Sequence, residues 1–85
     1  MNGLTVAGGH RVLVFHARHL QDAERVIQAV RENQAVVLNT ATAMDGEAQR
    51  LIDFACGGMD AIDGQAHRLS AESFLFCPGH FGVES

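Results

Sequence analysis

Ala35-Val36-Val37-Leu38-Asn39, then a short polar link, then Arg50-Leu51-Ile52-Asp53-Phe54-Ala55-Cys56-Gly57: these two runs decide the fold. The first shows no polar alternation, the pattern of a strand covered on both faces. The second is amphipathic. Met44, Ala48, Leu51, Ile52 and Ala55 fall on one stripe while Glu47, Arg50 and Asp53 face water, with Asp45 as N-cap and Gly57-Gly58 as the stop.

Outward from this core, Val12-Leu13-Val14-Phe15 reads as a buried first strand. Leu20, Ala23, Val26, Ile27 and Val30 then recur at helical spacing. Asp22 and Glu24 lie in the first turn and Arg31 in the last, as the helix dipole favours, so a helix is expected over residues 20–32, closed by a turn at Asn33-Gln34. Downstream, Met59 to Asp63 and Ala66 to Leu69 flank Gly64 and read as two short strands around a tight turn. Phe74-Leu75-Phe76-Cys77 makes a last strand ended by Pro78-Gly79.

The order βαβαβββ specifies an α/β fold, a compact two-layer sandwich with two helices packed on a mixed sheet. Residues 1–10 are Gly-rich and aperiodic and read as a flexible leader before a core domain over residues 11–85. With both helices on one face, the other face needs cover. A chain of 85 residues leaves much of its surface exposed, so the expected cover is a second copy and the expected state a dimer.

Composition excludes several functions. Hydrophobic residues at 47% argue for a packed domain, and 10 acids against 6 arginines with no lysine leave no basic face for a phosphate backbone, so no nucleic acid is expected. The first nine residues lack a basic n-region and an apolar h-region. Cys56 and Cys77, without a CxxC, then read as reduced thiols in a cytoplasmic chain.

Chemistry-bearing clusters are sparse. His10, His16, His19, His67 and His80 invite a metal, but His16 and His19 straddle a strand-to-helix junction and no carboxylate or cysteine joins them at zinc spacing, so the expected metal and cofactor are none. Asp60 and Asp63, read on a strand, would point to opposite faces. Cys56, read at a helix C-terminus, meets the negative end of the dipole and is a poor nucleophile. Ser70 and Ser73 near His67 lack a nucleophile elbow, and no Gly-rich phosphate loop precedes a helix. No enzyme is expected. Phe74 and Phe76 share one strand face, and an apolar groove beside such rings suits a peptide anchor.

Over Arg11 to Val83 the chain resembles the core of the bacterial cell-division protein family SepF. Ala35-Val36-Val37-Leu38-Asn39 resembles that family's A-V-V-V-N-L strand, and Arg50-Leu51-Ile52-Asp53-Phe54 with Gly57 its R-I-V-D-F helix. Ala61-Ile62-Asp63-Gly64 is similar to A-L-x-G, His67-Arg68-Leu69 to the Q-K/R-I strand, and Phe74-Leu75-Phe76-Cys77-Pro78 to F-L-x-T-P.

The resemblance implies a dimeric, non-enzymatic scaffold at the division septum that binds the C-terminal tail of the tubulin-like protein FtsZ and bundles or tethers its filaments. It implies a tail-binding surface at Arg68 and Phe74, with Phe54 and Phe76 as neighbouring rings, and self-assembly positions at Ala48, Leu51, Ala55 and Gly57. Departures are the family's E-P-R, here His16-Ala17-Arg18, and its P-x-N-V-D-V, here Pro78-Gly79-His80-Phe81-Gly82-Val83. The family's N-terminal amphipathic helix has no counterpart in Met1 to His10, so direct membrane binding by this segment is not expected. The alternative class is a regulatory α/β module that binds a small ligand.

Overall fold

Ala35–Asn39 is paired along both edges. In the computed structural model, which describes residues 5–6, 12–44 and 46–84, this strand (β3) lies between Val12–His16 (β2) and Ser73–Cys77 (β5), and Gln65–Arg68 (β4) closes the order β2-β3-β5-β4. β2 runs parallel to β3, as a βαβ crossover requires, while β5 and β4 add antiparallel. The crossover helices are Asp22–Arg31 (α1) and Ala48–Ala61 (α2). Two-residue strands at Thr5–Val6 (β1) and Val83–Glu84 (β6) pair with each other, so the order after β1 is βαβαβββ. The rest of the stretch read as a leader, and Asp45, lie outside the described residues.

Strand alternation divides the core in two. On the helix face, Val36, Leu38, Phe74 and Phe76 meet Ala23, Val26 and Val30 of α1 and Leu51, Ala55 and Met59 of α2. On the outer face, Ala35, Val37, Leu75 and Cys77 pack with Phe81, and Val12, Leu69 and Val83 border them. The two helices on a mixed sheet follow the sequence reading. Part of the cover on the outer face, assigned there to a second copy, comes from the chain's own Phe81 and Val83.

Three expectations are corrected. β2 is not a buried strand: it is an edge, with Val14 60% and Leu13 39% exposed, because α1 packs chiefly on β3, β5 and α2 and leaves β2 projecting. Gly57-Gly58 does not stop α2, and Met59 to Ala61 continue it instead of starting a strand. The cause is tertiary: a Cβ at Gly58 would enter the space of the Ile27 side chain, so the glycine permits the close approach of α1 and α2. Consequently Asp60 is helical, and Asp63 lies just beyond the helix rather than on a strand.

Both helices end in the same way. Asn33 and Asp63 take left-handed conformations, φ 69° and 55°. Gln34 N–H then donates to the Ala29 carbonyl at 3.0 Å and Gly64 N–H to the Met59 carbonyl at 2.8 Å, the bonds of a Schellman closure. At the start of α1, Asp22 Oδ2 accepts from the Arg18 and His19 N–H groups at 2.9 and 3.1 Å. Those two bonds, Arg18 first, hold the carboxyl below its ordinary value of 3.8.

A folded-state pKa below the unfolded one contributes stability that is complete above 3.8 and lost as pH falls through the folded value. Asp22→Asn therefore lowers the melting temperature at pH 7, and the gap to wild type narrows below pH 3.8. Scanning calorimetry across pH checks this, and a pH-independent gap would contradict it. At the two glycines, Gly57 has open space around its missing Cβ, so Gly57→Ala should add up to about 1 kcal/mol of helix stability. Gly58→Ala meets Ile27 and should destabilise, which urea titration of the pair resolves.

Candidate functional site

Antiparallel register places Arg68 of β4 directly opposite Phe74 of β5, and Ala66 opposite Phe76. Residues opposite one another share a face, so Arg68 lies beside the Phe74 ring and its guanidinium carbon sits 5.4 Å from the ring centroid, a cation–π contact. Phe74 stacks in turn on Phe76, centroids 5.9 Å apart and planes 12° apart. The row grades from solvent to core. Arg68 is exposed, Phe74 retains 9% of its surface and Phe76 none.

Arg68 is tied down loosely. One guanidinium nitrogen donates to the Ala71 carbonyl at 3.4 Å, a weak bond in the exposed β4–β5 turn. Its donors therefore stay available to an incoming carboxylate or carbonyl, while the ring beneath orients the planar group. With β4 at the sheet edge, this combines an exposed cation, the rim of a nearly buried aromatic ring and a strand that has, among the described residues, no partner on its outer side.

Phe54 is elsewhere. It is 45% exposed on α2, one turn before Gly58, which abuts Ile27 of α1, so it lies on the flank of α2 towards α1. Among the positions assigned to self-assembly, Leu51 and Ala55 are fully buried inside the protomer, Ala48 is half-buried and Gly57 is exposed. A bare glycine on the solvent side of a helix has no intramolecular reason to be there.

Both cysteines are free thiols. Cys56 sits within α2, where burial first, then Asp53 and Asp60, push its pKa up. The negative helix end invoked from sequence is not adjacent, because α2 continues to Ala61. Cys77 is raised by burial. Among the described residues no three His, Cys, Asp or Glu side chains converge as metal ligands; His10 lies outside them.

Sequence reasoning missed two features. Gln65 Nε2 donates to the carbonyls of Pro78, Gly79 and Phe81 at 3.1, 3.1 and 2.7 Å and fixes the turn that carries Phe81 onto the outer face. Its Oε1 then accepts from His67 Nε2 at 2.8 Å, which assigns that imidazole proton. Spacing alone could not signal a contact across 13 to 16 residues. The second is an open groove of about 740 Å³ between the helix C-termini, lined in part by Arg31, Asp63 and His80. A smaller one, about 500 Å³, lies beside exposed Met44 with Glu47 and Arg50 on its wall.

Energetically the row divides between its members. Phe74→Ala should cost about 3 kcal/mol or more by emptying core volume, whereas Arg68→Ala should cost under about 1 kcal/mol. Chemical denaturation separates the two, and equal losses would mean that the guanidinium is structural.

Comparison with known proteins bears on this geometry. Residues 12–83 match the family model "Cell division protein SepF". The chain is 40% identical over 78 residues to the "Cell division protein SepF" of Synechococcus sp. (strain RCC307), covering 92% of this chain and 42% of that protein. It is 40% identical over 73 residues to that of Trichormus variabilis, covering 86% and 37%. The chain thus spans less than half the length of these relatives. In three dimensions it is similar to a "SepF-like protein from Archaeoglobus fulgidus", with a TM-score of 0.70 at 12% identity over 81% of this chain and 86% of that one. A "SepF-like protein from Pyrococcus furiosus" gives a TM-score of 0.71 at 9% identity over 82% and 88%, a likeness of fold.

Proposed function

We propose that this chain, which belongs to the SepF family of cell division proteins, is a non-enzymatic scaffold that captures the C-terminal tail of FtsZ at the Arg68–Phe74 site. The single observation that carries the reading is the exposed guanidinium of Arg68, on edge strand β4, 5.4 Å from the centroid of the nearly buried Phe74 ring on β5. A short tail would set an apolar side chain against Phe74 and a carboxylate or carbonyl on Arg68. Phe76, fully buried behind Phe74, acts by holding that ring in place.

The same reading includes a homodimer whose self-assembly uses the solvent side of α2 around Gly57 and Ala48, with Phe54 on the flank of that helix. Leu51 and Ala55 serve it from within, by fixing α2 on the sheet. Weak single sites then become effective by repetition along a filament, which the dimer bundles or tethers at the cytoplasmic side of the division septum. No helix among the described residues is long and apolar enough to cross a membrane.

The expected affinity for one tail is micromolar, about -8 kcal/mol. Calorimetric titration of an FtsZ tail peptide tests it against Arg68→Glu and Phe74→Leu, the latter chosen because leucine keeps the site filled where alanine would leave a cavity. A loss of about tenfold or more in each variant is expected. Wild-type affinity in both would move the site elsewhere.

A further inference from the structure

We propose that the groove between the helix C-termini binds a small zwitterion with an apolar body: a free α-amino acid with an aliphatic or aromatic side chain. This site goes beyond the scaffold reading and uses none of its contacts.

Three walls meet there. Val30, Arg31 and Asn33 come from the end of α1 and the turn after it, Ile62 and Asp63 from the residues that follow α2, and Pro78, Gly79 and His80 from the turn after β5. Two of these walls are locked together. A Cβ at Gly79 would enter the space of the Asp63 carbonyl, so the missing side chain lets the turn close on the end of α2. Gln65 Nε2 holds the same turn by the carbonyls of Pro78 and Gly79, both at 3.1 Å. The groove is therefore preformed, and its volume of about 740 Å³ falls within the range of about 300–1,000 Å³ typical of small-molecule sites.

The polar residues of the groove have no internal use. Asn33 and Asp63 are the two non-glycine residues with positive φ among the described residues, and both line it. Glycine takes that conformation without steric cost, whereas these two positions keep an amide and a carboxylate. Among the described residues neither side chain has a hydrogen-bond or ion-pair partner, and the Arg31 guanidinium has none either. His80 rests edge-on against Phe81, ring centroids 5.0 Å apart, at the open side.

Charge differs from wall to wall, and that selects the ligand. Each helix presents the negative end of its dipole here. Arg31 offsets it on α1, but α2 has no basic residue in its last turn and is followed by Asp63. One wall is thus cationic and another anionic. A simple carboxylate or phosphate would suit Arg31 and be repelled by Asp63, and a simple ammonium would meet the reverse. A ligand carrying both charges satisfies both: its carboxylate accepts from the Arg31 guanidinium while its ammonium donates to the Asp63 carboxylate. Val30, Ile62 and Pro78 supply the apolar surface for its side chain, and the Asn33 amide can donate or accept at its polar head.

Titration of L-leucine and L-phenylalanine into the full chain, followed by backbone amide shifts in proton–nitrogen correlation spectra, tests this. Saturable shifts centred on Asn33, Asp63, Gly79 and His80 are expected for at least one of the two. For leucine, the amide leucinamide removes the carboxylate and isocaproate removes the ammonium, and each should bind about tenfold or more weakly than the parent. Two variants assign the charges. In Arg31→Gln leucine and leucinamide should bind alike, and in Asp63→Asn leucine and isocaproate should bind alike, with asparagine keeping the left-handed backbone of that position accessible. Spectra unchanged away from the groove show that each variant is folded. No saturable shift at millimolar amino acid, shifts centred elsewhere, or tighter binding of leucinamide or isocaproate than of leucine would overturn the proposal. Wild-type discrimination among the three ligands in both variants would overturn it as well.

Discussion

Both edges of Ala35–Asn39 are hydrogen-bonded and both of its faces are buried, and the rest of the molecule is arranged around that double demand. Both faces of this strand are apolar and buried, and the chain surrounds it with two neighbouring strands and two layers of cover. The helices provide one layer, and the outer layer includes the turn after β5 with Phe81. Thr40, just past the strand, is buried but satisfied: its hydroxyl donates to the Glu72 carbonyl at 3.1 Å.

The centre of the fold was legible because its signals are local and strong. The apolar run of β3, the helical recurrence from Ala23 to Val30 and the turn at Pro78-Gly79 each encode one element, and the structure has them. What misled was information held in partners. Gly57-Gly58 carries a stop signal in isolation, yet Ile27 turns Gly58 into a packing requirement and the helix runs on to Ala61. The apolar content of β2 matches that of a covered strand, and only the lateral position of α1 reveals its exposure.

For the candidate site, the pairing of Arg68 with Phe74 was reachable from the family resemblance, and register explains why those two positions belong together. Phe54 shows the limit of grouping aromatics by type: it resides on a different element and flank from Phe74. Leu51 and Ala55 show the same for a helix stripe, where core and surface roles differ by a single turn or less.

The Gln65 clasp gives β4 two tasks on opposite faces of the sheet. Arg68 stands over the helix-side rings, while three residues away Gln65 grips the backbone of the turn that positions Phe81 on the far side. One short strand is therefore the mechanical linkage between the sheet's two surfaces, so a shift of this strand along its axis drags the far-side turn with it.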